Sequence, residues 1–120
     1  MQSFGMTLLL QDDPERIRMY CELHQKVWAS VINRLRDSGI VGMEIFLIGR
    51  RLFMYMTTTG EFVPRTDFLR LNDDPEYREW SELTASLQER APEASEGEWW
   101  SQMQKVFDLG WPQYVRQPRP

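Results

Sequence analysis

Cysteine and histidine are almost missing from this chain, which holds one of each, Cys21 and His24. A lone thiol closes no internal disulfide, so the stapled small fold of many secreted proteins is excluded. Cys21 lies beside Tyr20, off the apolar stripe of a predicted helix. It reads as a bystander, since a reactive thiol needs an activating neighbourhood. One His and one Cys, without H-x-x-x-H or C-x-x-C spacing, build no transition-metal site unless several carboxylates join them. No metal is expected, and no cofactor either, because a Gly-rich phosphate cradle and a G-x-S-x-G elbow are both missing. Basic clustering is missing too. The 14 Lys and Arg are scattered, the net charge is -4, and no nucleic-acid partner is expected. The short pair Arg50-Arg51 falls at a predicted turn and reads as solvated. No apolar run approaches the roughly 20 residues of a membrane span. The opening MQSFGMTLLLQDD has no basic region before its apolar run, so it reads as a first strand rather than a signal peptide. A soluble, cytoplasmic protein is the expectation.

What is present suits one packed domain. The chain has 120 residues, 42% of them hydrophobic, with five Trp and seven Met, enough for a single core. Phe4–Leu10 reads as a buried strand. Asp12-Asp13-Pro14-Glu15 then combines an N-cap aspartate, a proline at the first helical position and an acid in the first turn. The helix is predicted from Pro14 to about Asp37, ending at Gly39. On it Ile17, Tyr20, His24, Val27, Trp28, Val31 and Leu35 share one face, opposite charged Arg18, Glu22, Lys26 and Arg36. Ile40–Ile48 and Leu52–Thr58 flank Gly49-Arg50-Arg51 as a hairpin. Alternation puts Met43, Ile45 and Leu47 on one side of the first hairpin strand and Glu44, Phe46 and Ile48 on the other. Glu61–Leu71 reads as a short helical piece interrupted by Pro64. Asn72-Asp73-Asp74-Pro75-Glu76 repeats the start signal, for a helix to about Arg90 carrying Tyr77, Trp80, Leu83 and Leu87 on one face. Ala91–Gly97 is a loop, and Trp99–Leu109 contains a final strand with Met103, Val106 and Phe107. Residues 1–109 form the predicted domain, and 110–120, with three prolines, an extended tail.

The order β-α-β-β-α-β is that of a ferredoxin-like α+β sandwich. Helices cover one face of such a sheet and leave the other open. So many Trp and Met imply that the open face is covered in turn, by a second copy or by a ligand.

The only histidine therefore sits mid-way along a buried stripe, with Tyr20 one turn before it. Imidazole exchanges protons near neutral pH, and a neighbouring phenol can orient a ligand hydroxyl. On this spacing alone, a core histidine packed beside a tyrosine is the commoner outcome. Trp28 and Trp80 are equally at home in a core or against the C–H face of a sugar. Glu44, Glu79 and Glu82 form a possible carboxylate set, though no spacing rule makes them converge.

The segment Tyr20-Cys21-Glu22-Leu23-His24-Gln25-Lys26-Val27-Trp28 resembles the L-rhamnose mutarotase family, which includes relatives acting on L-fucose. The likeness extends over the first strand, Met43-Glu44-Ile45-Phe46-Leu47, Arg78-Glu79-Trp80 and Met103-Gln104-Lys105-Val106-Phe107. It implies a dimeric α/β barrel of two ferredoxin-like chains, a homodimer with a metal-free monosaccharide site in each. The family's proton-donating histidine falls on His24, and its substrate-contacting tyrosine on Tyr20. Of a paired tryptophan motif, the second member falls on Trp80 and the first on Glu79. A further substrate-contacting tyrosine falls on Met43, with Glu44 beside it, and Gln25-Lys26 replaces an Asn-Pro. These departures leave the proton-transfer part and alter the sugar-reading part, which makes L-fucose a candidate beside L-rhamnose. Ring opening would proceed by a proton from His24, with Tyr20 holding an oxygen and Trp80 and Trp28 packing on the sugar. The base is left open among Glu44, Glu79 and water. Two other readings keep the barrel: a non-enzymatic module binding a small ligand, and a cofactor-independent oxygenase.

Overall fold

The computed structural model of the chain describes residues 1–118. Its first strand, β1 (Gln2–Leu10), leads into helix α1 (Pro14–His24) and, after a break, helix α2 (Ala29–Asp37). A hairpin of β2 (Ile40–Ile48) and β3 (Arg51–Thr58) follows. Helices α3 (Pro64–Leu71) and α4 (Pro75–Ala85) come next, and then two short strands, β4 (Gln88–Glu89) and β5 (Ser101–Gln102). The sheet order is β2-β3-β1-β4, and β5 also pairs with β1. Every pairing is antiparallel. This is the ferredoxin-like α+β arrangement that the element order implies.

The caps form where the residue types require them. Asp13 is extended (φ -152°), and its carboxylate accepts the Glu15 N–H at 3.0 Å. Pro14 follows at the first helical position, where its missing N–H costs nothing. Asp74 repeats the device on the Tyr77 N–H at 3.1 Å, ahead of Pro75. Gly39 ends α2 with φ +106°, a conformation that L side chains rarely adopt.

Four local expectations are corrected. The helix predicted over Pro14–Asp37 is broken at residues 25–28, and Trp28 there is extended at φ -60°, ψ 137°. No proline or glycine forces the break. It turns the Trp28 ring edge-on to Trp80, centroids 5.2 Å apart. Pro64 starts α3 rather than interrupting it, and the Val63 N–H is held by the Asp67 carboxylate at 2.6 Å. Helix α4 stops at Ala85, because residues 88 and 89 are drawn off to pair with Leu10 and Leu9. The strand expected over Trp99–Leu109 is reduced to Ser101–Gln102. Met103, Val106 and Phe107 lie beyond it and are exposed. The tail reading over 110–120 includes two residues, 119 and 120, outside those described.

β4 and β5 lie end to end on one edge of β1, Gln88 opposite Leu10 and Ser101 opposite Thr7. They are two parts of one edge strand, opened by an excursion over residues 90–100. The Arg90 guanidinium donates to the Glu98 carbonyl at 3.0 Å. The Glu98 carboxylate in turn accepts the N–H groups of Ser95 (3.0 Å) and Gln102 (3.1 Å).

The core lies between the sheet and the helices, in two clusters. One joins Met6, Ile40, Met54, Met56 and Phe62; the other joins Leu8, Leu10, Tyr20, Leu52 and Leu87. Leu8, Leu10 and Leu52 are fully buried, each contributing about 1.5–3 kcal/mol relative to an exposed side chain. The registers Met6 opposite Met54 and Leu8 opposite Leu52 put these residues on the helix-covered face. The other face shows Phe46 (53% exposed), Phe53 (37%), Tyr55 (43%) and Ile48 (81%).

Candidate active site

A cavity of about 810 Å³ opens between the helices and the covered face of the sheet, a size within the range of ligand sites. α1 brings Tyr20 and His24 to it, β2 brings Met43, and α4 brings Tyr77, Trp80 and Thr84. Gln88 from β4, and Trp99 and Trp100 from the 90–100 excursion, complete this end.

The imidazole of His24 stacks on the Tyr20 ring (centroids 4.1 Å apart, planes 28° apart) and meets Trp80 at 5.3 Å and 63°. The i, i+4 spacing on α1 makes the first contact, and the aromatic wall of α4 makes the second. Nδ1 of His24 lies 2.8 Å from the Tyr20 carbonyl oxygen. A carbonyl only accepts, so Nδ1 carries a proton and donates it. Nε2 is then the ring nitrogen available to a ligand, and in the neutral ring it is a bare acceptor. Burial pushes the His24 pKa below its usual 6.5, opposed by the bond to the Tyr20 carbonyl. The imidazole is therefore uncharged at pH 7.

Tyr20 is buried, and burial pushes its phenol up to about 12, opposed by the hydrogen bond from Gln88. It stays a neutral O–H throughout the physiological range. Its oxygen accepts the Gln88 Nε2–H at 3.3 Å, while the Gln88 Oε1 accepts the Trp99 indole N–H at 2.7 Å. Tyr77 is a second phenol in the wall, also pushed up to about 12 by burial. Among the described residues its hydroxyl has no hydrogen-bond partner inside the protein, so its polar end is left for whatever enters.

Of the residues singled out in the sequence, Tyr20, His24, Trp80 and Met43 come together in the cavity wall. Trp28 does not line it and meets Trp80 edge-on. Glu44 and Glu79 do not join them. Glu44 is exposed on the opposite sheet face and Glu79 on the outer side of α4. Glu82 is exposed as well. Sequence reasoning passed over Tyr77, Thr84, Gln88, Trp99 and Trp100. The first two were within reach, standing three before and four after Trp80 on one helix. The other three arrive through the edge strand and its excursion, which carry no local signature. Among the described residues no three His, Cys, Asp or Glu side chains gather to hold a metal ion.

The arrangement pairs a bare imidazole nitrogen with a neutral phenol, side by side on apolar walls. Chemically that suits proton exchange with two neighbouring oxygens of a small, uncharged ligand.

Comparison with known proteins gives consistent matches. The L-rhamnose mutarotase family model matches residues 3–109. A UPF0734 protein of Dictyostelium discoideum is 39% identical over 114 residues, 92% of this chain and 91% of its own length. An L-fucose mutarotase of Xanthomonas campestris is 33% identical over 111 residues, 91% of this chain and 89% of its own. Among solved structures, an L-rhamnose mutarotase from Formosa agariphila superposes with a TM-score of 0.68 at 17% identity, covering 91% of this chain and 99% of that one. Tetracenomycin F2 cyclase from Streptomyces glaucescens superposes with a TM-score of 0.61 at 14% identity, covering 93% and 100%. Similarity at that level of identity concerns the fold alone.

Proposed function

The chain belongs to the L-rhamnose mutarotase family, and on that footing we propose that it interconverts the anomers of a 6-deoxy-L-sugar, L-fucose or L-rhamnose, through His24 and Tyr20. The observation that carries the proposal is the stacked pair itself: an imidazole with its Nδ1 proton committed and a phenol that keeps its proton to about pH 12. The relative named for L-fucose, and methionine at position 43 where the rhamnose pattern has a tyrosine, favour L-fucose as the better substrate.

The two sugar oxygens to be served differ in kind. The anomeric hydroxyl can give up a proton, whereas the ring oxygen has none and can only accept. His24 Nε2 takes the proton of the anomeric hydroxyl. The electron pair released forms the C1 carbonyl, the bond from C1 to the ring oxygen breaks, and its pair goes to that oxygen. Tyr20 supplies the hydrogen to the ring oxygen, leaving an open-chain aldehyde beside an imidazolium–phenolate pair. That pair is neutralised only at ring closure, when the imidazolium returns its proton to the C1 oxygen and the phenolate takes back the hydrogen of the former ring oxygen. Rotation about C1–C2 and the reverse steps close the ring on the other face. This gives His24 the role of base at the outset, where the family pattern makes it a proton donor; over the full cycle it does both. General acid–base help of this sort accelerates a reaction about 10²–10⁴-fold. Trp80, met edge-on by Trp28, packs the sugar's apolar face and methyl group. Tyr77 holds a remote hydroxyl.

The proposal includes a homodimer formed by the open sheet face. Phe46 and Phe53, stacked 6.2 Å apart, stand with Tyr55 on an apolar surface that stays partly exposed among the described residues. Work in the cytoplasm is part of the same reading, since the free thiol of Cys21 suits a reducing compartment.

The test is NMR saturation transfer between the anomeric protons of L-fucose and of L-rhamnose. Exchange above the uncatalysed rate is expected for at least one sugar. No enhancement for either sinks the proposal.

A further inference from the structure

We propose that Gln88 is the positioning residue that makes the Tyr20 phenol a hydrogen-bond donor to the substrate, and that Trp99 on the 90–100 excursion holds Gln88 in the required orientation. The proposal rests on the mutarotase reading of the site and adds a residue that neither the sequence motif nor the family likeness assigns.

An indole N–H only donates, so the Gln88 atom 2.7 Å from Trp99 Nε1 must be the amide oxygen. The choice between the two amide orientations, usually ambiguous, is made by that contact. The amide nitrogen is then the atom facing the Tyr20 oxygen at 3.3 Å, and it donates. A phenol oxygen that receives an N–H turns its own hydrogen elsewhere. No described residue accepts that hydrogen, and the space beside it is the cavity.

Gln88 itself has little freedom to turn. It is 5% exposed, its backbone is paired opposite Leu10, and its carbonyl accepts the Gln11 side-chain N–H at 3.0 Å. The three groups therefore form a one-way chain, Trp99 to Gln88 to Tyr20, ending in a donor aimed at an oxygen that can only accept. Beside it stands His24 with a bare acceptor. Reversing the amide would make Tyr20 an acceptor too, leaving two acceptors for one donor and one acceptor on the sugar.

The experiment uses Gln88→Leu and Gln88→Glu, each alone and combined with Tyr20→Phe, with exchange followed by NMR as a function of pH and sugar concentration. Gln88→Leu should lower kcat about tenfold with little change in KM, the order expected for one misdirected hydrogen bond. In the Tyr20→Phe background it should change nothing further. Gln88→Glu carries the distinguishing signature. A protonated carboxyl can donate to Tyr20 as the amide does, whereas the ionised form accepts and turns the phenol round. Its kcat should therefore fall as pH rises through the new carboxyl's pKa, a limb that wild type lacks and that Tyr20→Phe removes.

A Gln88→Glu profile parallel to wild type overturns the proposal, as does an equal loss from Gln88→Leu with and without the Tyr20 hydroxyl. The geometry has its own readout without turnover, the indole N–H resonance of Trp99. It should shift upfield in Gln88→Leu and stay in place in Tyr20→Phe; a Trp99 signal indifferent to Gln88→Leu also overturns the proposal. If wild type exchanges neither sugar while the Trp99 signal behaves as expected, the functional reading has failed and the hydrogen-bond chain has not.

Discussion

The two faces of the sheet are made from the same three strands, and alternate residues of each strand serve opposite ends. On the covered face, Met43, Ile45, Met54, Leu52, Met6 and Leu8 meet helices and one cavity. On the open face, Phe46 and Phe53 stack on each other, and with Tyr55 and Ile48 they stay partly or largely exposed among the described residues. Both faces are apolar, so hydrophobicity does not separate them. The difference is the small polar inventory at the covered face, where an imidazole, two phenols and an amide are held in apolar surroundings and geometry assigns the protons of His24, Gln88 and Tyr20. There a buried polar group is worth its desolvation because a ligand can use it. The polar groups of the open face, the Tyr55 phenol and the Glu44 carboxylate, stand at its solvent-exposed surface instead, beside Phe46 and Phe53. On the proposed reading, one face serves chemistry and the other assembly.

The comparison is most severely tested at His24. His24→Ala should cut anomer exchange by about 10²–10⁴ while leaving circular dichroism and oligomeric state unchanged; undiminished exchange would remove chemistry from the covered face. Tyr20→Phe keeps the ring stack and loses only the hydroxyl, so a drop of about tenfold in kcat is expected, read by the same NMR exchange. The pH profile sharpens the assignment of roles. Because the His24 pKa is depressed by burial, the neutral base persists below pH 6.5, and the acid limb of kcat should have its midpoint under that value. A midpoint above it would mean an imidazolium stabilised in the site, contrary to its desolvation. On the open face, Phe46→Asp with Phe53→Asp should convert a dimer to a monomer in sedimentation while exchange per chain stays within about twofold. A collapse of exchange in a folded monomer would mean that the two faces are not separable. Smallest of all, Glu79→Gln and Glu44→Gln should each move stability by no more than about 0.5 kcal/mol and leave exchange near wild type. A large loss would return a carboxylate to the mechanism.

Much of the scaffold was legible along the chain. Asp13-Pro14 and Asp74-Pro75 mark helix starts because capping is a local matter, settled by residues within four positions. Alternation divided β2 into Met43 and Ile45 on one side and Glu44 and Phe46 on the other, because a strand's period is two. The single-helix reading failed at residues 25–28, where the gain lies in a ring contact between Trp28 and Trp80, remote in sequence. The final strand failed for a similar reason. Two residues pair with β1 and the Met103 N–H still reaches the Gly5 carbonyl at 2.7 Å, after which the chain leaves the edge of β1 at a point that no local residue type marks.

The candidate site divides along the same line. Tyr20 and His24 were visible because one helical turn joins them, and Tyr77 could have been read from Trp80 by the same rule. Glu79 follows that spacing poorly. Its place beside Trp80 in sequence puts it about 100° round the helix, on the wet side. Gln88 and Trp99 had no such mark, being brought to Tyr20 by the pairing of a split edge strand with β1.

The sequence by itself determined the first strand, the hairpin, the two Asp-Pro helix starts and the place of the one imidazole a turn from Tyr20, since these depend on periodicity and on neighbours within a turn. Only the tertiary structure decided what meets that imidazole from α4, which way the phenol's hydrogen points and which carboxylates stay out in water. Those outcomes depend on contacts between positions as far apart as Tyr20 and Gln88, and the direction of a hydrogen bond is fixed only once both ends are in place.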